Sequence, residues 1–151
     1  MHETQISRRR VSQSQRQSAR RTAAIFLPHL RTLAEAAGDT PTADRLVSAL
    51  GRHFDSISDH AAALASFERA LSINEKLGDA AARSLSHHLN NIGRMHRLMG
   101  DLPGARAAYE RAVQVCISVY GPDHPNTKTV EKNLAALGKS RTWADRILGR
   151  E

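Results

Sequence analysis

The stretch HLNNIGRMHRLMGDLPGARAAYERAV, His88–Val113, decides the fold. On both sides of Gly100-Asp101 its apolar and small residues recur every three or four positions. That is the spacing of two amphipathic helices joined by a tight turn. The same pattern occurs earlier in the chain. Laid over LVSALGRHFDSISDHAAALASFERAL, Leu46–Leu71, the stretch matches at an offset of 42 residues. Leu50 falls on Ile92, Gly51 on Gly93, Arg52 on Arg94, Asp59 on Asp101 and Ala63 on Ala105. Phe67 falls on Tyr109, and Glu68-Arg69-Ala70 on Glu110-Arg111-Ala112. A third, partial copy, TVEKNLAALGKS (Thr129–Ser140), puts Asn133 on Asn91, Leu134 on Ile92 and Ala135 on Gly93. A fixed period of this length is the mark of stacked supersecondary units, each needing a neighbour to bury its apolar face.

The copies share a packing logic. Small residues (Gly51, Gly93, Ala63, Ala105, Ala70, Ala112) stand where two helices must approach closely. Large ones (Leu50, Phe54, Phe67, Leu89, Ile92, Tyr109) fill the space between. Helix signals then set the boundaries. Thr40 caps a helix opened by Pro41 and running to about Ser56, because a proline at the first helical position gives up an N–H that has no partner anyway. Asp59 caps a second helix over His60–Leu77, ended by Gly78. Asp79 caps a third over Ala80–Met99, and after Gly100-Asp101 a fourth runs over Leu102–Tyr120. Gly121 stops it, and Pro125 opens a fifth that reaches about Lys139. An earlier helix is expected over Ala19–Ala37, interrupted or begun at Pro28 and burying Ile25, Leu27, Leu30 and Leu33 on the next helix. WADRIL, Trp143–Leu148, falls where the second helix of the third unit would begin.

These hairpins resemble the tetratricopeptide repeat, whose A-x3-F-x2-A ending reads here as Ala63, Phe67, Ala70 and again as Ala105, Tyr109, Ala112. The ordinary period is about 34 residues. The longer period, with LNNIG, AYERAVQV, YGPDHPNT and NLAAL, is similar to the kinesin-light-chain-type subfamily, widespread in bacteria and frequent there in multidomain regulators. The resemblance covers roughly residues 41–138. It implies an all-α, right-handed α-solenoid of antiparallel helix hairpins, six to seven helices in all, that binds a protein or peptide partner without catalysis. The expected organisation is a disordered basic tail over 1–18 and a repeat domain over 19–148. Within the domain, repeat one is 41–78, repeat two 80–121 and a partial third 125–148.

Composition agrees with this class. The chain has 151 residues, enough for one domain or a short array. Apolar residues make up 40% but aromatics only 4%, and alanine supplies much of the remainder, which suits close helix packing over strands. Arginine outnumbers lysine 18 to 4, a composition frequent in GC-rich bacterial genomes. The formal charge of +7 is uneven. Residues 1–22 hold six arginines and one glutamate, a balance of +5, while the other 129 hold 16 basic and 14 acidic residues. The tail could bind nucleic acid through counterion release, although no aromatic interleaves its arginines to stack on bases. Its Arg- and Ser-rich composition is also that of a mitochondrial presequence, but little amphipathic apolar content accompanies it. With no membrane-length apolar run and no secretory apolar region, the expectation is a cytoplasmic protein without membrane contact.

Sites of chemistry are hard to find. Cys116 stands alone, so no intrachain disulfide is possible, and its apolar helix face marks it as a packing residue. None of the eight histidines shows the HExxH spacing, so no metal site is expected. His96, at the position equivalent to Phe54, reads as a partly buried space-filler. In VYGPDHPNT, Val119–Thr127, the Asp123-His124 pair invites a catalytic reading, but Pro125 lies two periods after Pro41, so the stretch reads as a helix stop followed by a helix start. Phosphate-loop, dinucleotide and nucleophile-elbow motifs are absent, and neither cofactor nor catalytic residue is expected.

The resemblance implies that the first helix of each hairpin lines an inner groove. By helical geometry Arg45, Ser48, Ala49 and Arg52 share one face of the first such helix. His87, Asn90, Asn91, Arg94 and Arg97 share the face of the second; Thr129, Lys132, Asn133, Ala136 and Lys139 that of the third. Arg45, Arg52, Arg94, Arg97 and Lys132 would supply positive charge for an acidic peptide. Asn90, Asn91 and Asn133 would hold its main chain, since an asparagine amide both donates and accepts. Asn91 and Asn133 match the asparagine of the family's LNNLA motif, whereas Ala49 departs from it. Two other readings stand beside this one: a nucleic-acid-associated protein acting through its tail, and a sensor-type fragment of a larger regulator. The unfinished third unit could also be covered by a second copy of the chain, giving a homodimer.

Overall fold

The computed structural model describes residues 32–33, 35–78 and 82–138. Five helices run through them: α1, Pro41–Ser56; α2, His60–Leu77; α3, Ala82–Leu98; α4, Leu102–Tyr120; and α5, Pro125–Ala135. Among the described residues there is no strand. The tail, most of the expected first helix, Asp79, Lys139 and Trp143–Leu148 lie outside the described residues. The chain parts into two compact units after Gly78, with α1 and α2 in the first and α3, α4 and α5 in the second.

The boundaries follow from local chemistry. Thr40 is extended, and its hydroxyl accepts from the Ala43 amide at 3.2 Å while donating to the Ala37 carbonyl at 3.0 Å. Asp59 and Asp101 cap α2 and α4 by accepting from the Ala62 and Gly104 amides at 3.2 and 3.0 Å. Such caps contribute about 1 kcal/mol each by satisfying amides that the helix cannot. Gly121 ends α4 with φ of 89°, a conformation that disfavours any residue with a Cβ.

The fifth helix departs from expectation. It stops at Ala135 instead of near Lys139. The Leu137 and Gly138 amides turn back onto the Leu134 and Ala135 carbonyls at 3.1 Å, tightening the last turn, and Gly138 takes φ of 71°. A second correction concerns Leu33, which is 57% exposed and is not a buried contact. Cover from that side reaches the first unit's core at Ala37, which packs on the cluster of Ala43, Val47, Ala70 and Ile73.

Each hairpin is closed by a ring lying over a glycine. Phe67 is fully buried on Gly51, and Tyr109, 1% exposed, lies on Gly93. A Cβ built on either glycine would lie 2.7 Å from the ring facing it. The alanines at 63, 70, 105 and 112 are fully buried around these rings. Each hairpin also carries a buried pair between its two helices. In the first, Asp44, 8% exposed, accepts from Asn74 Nδ2 at 2.7 Å and from Ser48 Oγ at 3.3 Å, and Asn74 also donates to the Ala70 carbonyl. Forty-two residues on, the same two positions are Ser86 and Cys116, again buried and in contact.

Candidate functional site

The sequence VYGPDHPNT folds as a corner. Pro125 opens α5, and His124 caps it, its Nδ1 accepting from the Asn126 amide at 3.1 Å. The imidazole stacks on Tyr120 with centroids 4.6 Å apart and planes 17° from parallel. Thr127, fully buried, donates to the Gly121 carbonyl at 2.8 Å and so fixes the start of α5 on the end of α4. Asp123 points to solvent and pairs with Lys128 at 3.2 Å. The acid and the histidine thus serve the helix ends separately and do not face one another as a dyad.

The other reactive side chains are similarly occupied. His96 is partly buried at the α3–α4 turn, with Nδ1 2.8 Å from an Asp101 carboxylate oxygen but not aligned with it as a hydrogen bond. Burial pushes the Cys116 thiol up from its ordinary range, with contact to the Ser86 hydroxyl pulling weakly the other way. A thiol held protonated in an apolar interior is a poor nucleophile. Among the described residues no group of three or more His, Cys, Asp or Glu side chains converges as metal ligands would.

The candidate binding residues divide between the units. Arg45 and Arg52 are exposed on α1, with Ala49 between them. Ser48, expected on that face, is buried and turned to Asp44. The reason is electrostatic: a buried carboxylate needs every donor within reach, and a serine one turn along the helix supplies one.

In the second unit the geometry is more specific. Asn90 on α3 and Asn133 on α5 are half-buried and joined, Asn133 Nδ2 donating to Asn90 Oδ1 at 2.9 Å. One such bond uses one donor and one acceptor. It leaves the Asn133 carbonyl and the remaining Asn90 N–H groups pointing elsewhere, so the pair still offers both kinds of hydrogen-bonding group. Asn91, also half-buried, lies beside Asn90 on α3 and makes no side-chain hydrogen bond among the described residues. Arg97 and Lys132 are exposed, whereas Arg94 is half-buried and engaged within the protein. Helix α3 carries Arg83, Arg94 and Arg97 and no acid; α5 carries Lys128 and Lys132 against Glu131 alone. The face is therefore basic around a pair of amides. The Asn90–Asn133 bond spans 43 residues, one more than the repeat offset, and that near coincidence is the signal from which it could have been anticipated.

Comparisons with known proteins agree with this architecture. Residues 85–126, from early α3 to the start of α5, match the family model described as tetratricopeptide repeat. Among solved structures the chain is similar to BtubC (BKLC) from P. vanneervenii, at 19% identity and a TM-score of 0.60, over 93% of this chain and 68% of that one. The comparison with curated proteins gives no match. No helix among the described residues is long and apolar enough to cross a membrane. Sequence and fold thus agree on an all-α fold of the α-solenoid class whose residues 85–126 match the tetratricopeptide repeat, a repeat that is typically non-catalytic and generally mediates protein–protein interaction.

Proposed function

We propose that the chain is a binding module that holds an extended, acidic peptide segment of a protein partner against the α3–α5 face. The observation that carries this reading is the Asn90–Asn133 pair at 2.9 Å, set among Asn91, Arg97 and Lys132. Amides fixed on one another present donors and acceptors with little freedom left to lose, so ordering them around a bound main chain costs less. The surrounding cations would select acidic side chains by favouring their approach and disfavouring basic ones. Arg94 contributes to the local potential from its half-buried position, and Arg45 and Arg52 give α1 of the first unit a basic character of its own. The 42-residue spacing supports grouping these hairpins with the kinesin-light-chain type of repeat.

Two variants separate the roles. Replacing Asn90 and Asn133 together with alanine should weaken calorimetric binding of an Asp/Glu-rich peptide pool about tenfold or more, which corresponds to about 1.4 kcal/mol. Replacing Arg97 and Lys132 with glutamate should abolish acidic-pool binding while leaving helicity unchanged by circular dichroism. Undiminished affinity in both variants would remove the α3–α5 face from consideration.

A further inference from the structure

We infer that His87 is a further ligand-contacting residue of the α3–α5 face, a conditional cation that strengthens the hold on an acidic segment as pH falls. The inference rests on the reading of that face as a peptide site and adds its regulation. At about 100° per residue, Arg83, His87, Asn90, Asn91, Arg94 and Arg97 fall within about a third of the circumference of α3. His87 lies inside this arc, one turn before Asn90 and Asn91 and about 5 Å from them along the axis. A segment held at the Asn90–Asn133 pair is therefore within reach of its imidazole. The side chain is exposed and, among the described residues, makes no hydrogen bond, ion pair or ring contact. The other histidines of this unit are occupied: His88 is buried, His96 lies against Asp101, and His124 caps α5.

The charges around His87 in the second unit decide the sign of the effect. On α3, Arg83 lies one turn before it and Arg94 two turns after, and the helix carries no acid. On α5, tied to α3 by the Asn90–Asn133 bond, the charged groups are Lys128, Lys132 and Glu131, and Lys128 is drawn to Asp123 at 3.2 Å. Helix α4 meets α3 through Tyr109 on Gly93, about 120° round the helix from His87. Cations thus outnumber acids on this face, and the negative charge that favours an imidazolium has to arrive with the ligand. Imidazole is the side chain that changes charge between about pH 5 and 8, whereas aspartate and glutamate stay largely ionised above about pH 5. A carboxylate bound beside His87 favours the protonated ring, so binding takes up a proton and affinity rises as pH falls.

The test is calorimetric titration of the full chain with an Asp/Glu-rich peptide pool at pH 7.5 and 5.5. Affinity should be about two- to fivefold higher at the lower pH, the range expected of one exposed ion pair. Titrations at pH 6.5 in buffers of different ionisation enthalpy should show proton uptake on binding. His87→Gln should remove that gain and that uptake, and His87→Lys should bind at pH 7.5 as tightly as the unaltered chain does at pH 5.5. His96 and His124 titrate equally in all three proteins, so the differences between them report His87 alone. Because the position is exposed, circular dichroism at both pH values should show the helices intact. Binding that depends on Asn90 and Asn133 but keeps the same pH dependence in the His87→Gln variant would overturn this inference and leave the peptide site standing. Absence of binding by the unaltered chain at both pH values would overturn the two together.

Discussion

At the scale of single residues, the glycines under the rings carry the most specific information. Gly51 and Gly93 lie inside helices, where alanine is ordinarily better by about 1 kcal/mol. Here an added methyl would meet Phe67 or Tyr109 at 2.7 Å, and neither ring has solvent on which to retreat. Overpacking of this kind costs about 1–3 kcal/mol, which outweighs the gain in helix propensity. Gly93→Ala should therefore destabilise the second unit by up to about 2 kcal/mol in urea unfolding, and Gly51→Ala the first by a similar amount. A rise in stability at either site would mean that the ring has room to move. The repeat offset alone makes these positions legible in the sequence, because a small residue recurring in step with a ring is a packing statement. The Asp44–Asn74 pair is not legible in that way. An aspartate near a helix start reads as a favourable dipole contact, and nothing local shows that Asn74, thirty residues on, turns its amide inward to meet it.

Between elements, the exposed carboxylate of Asp39 ties the approach to α1 onto α2. Lys76 Nζ donates to it at 2.6 Å, and the Arg69 guanidinium lies 3.3 Å away. The Lys76 hydrogen bond, reinforced by both positive charges against a smaller opposing effect of burial, holds the Asp39 carboxyl below the ordinary aspartate value. A carboxyl lowered on folding contributes stability that is fully present above its unfolded value and is lost as pH falls through the lowered, folded one. A carbon-detected NMR titration should find Asp39 titrating below an unperturbed aspartate, and Lys76→Ala should move it upward more than Arg69→Ala does. Equal titration in the Lys76 variant would contradict the assignment. Helix ends are legible in the sequence to similar depth: α1, α2 and α4 have the limits that their caps, prolines and glycines dictate. The end of α5 is the exception, because NLAALGK continues the apolar spacing past the point where Gly138 turns left-handed and Arg106 takes its carbonyl.

For the molecule as a whole, the distribution of charge separates attraction from recognition. Residues 1–18 hold four arginines and one glutamate, so deleting them lowers the formal charge from +7 to +4 without touching α3 or α5. At about 0.15 M salt, charges more than about 8 Å from a bound ligand are largely screened, so affinity belongs to the side chains that touch it. Long-range charge acts chiefly on encounter, speeding association of an acidic partner at low ionic strength. If the α3–α5 face is the whole binding surface, the shortened chain should bind an acidic peptide with unchanged affinity at physiological salt, while its association rate in stopped-flow falls severalfold in dilute buffer. If affinity at physiological salt fell with the deletion, the tail would belong to the binding surface itself, and the α3–α5 face would be only part of the site. If instead the rate proved insensitive to both tail and salt, the face would recognise its partner by its amides alone, and Arg97 and Lys132 would be ordinary solvated charges.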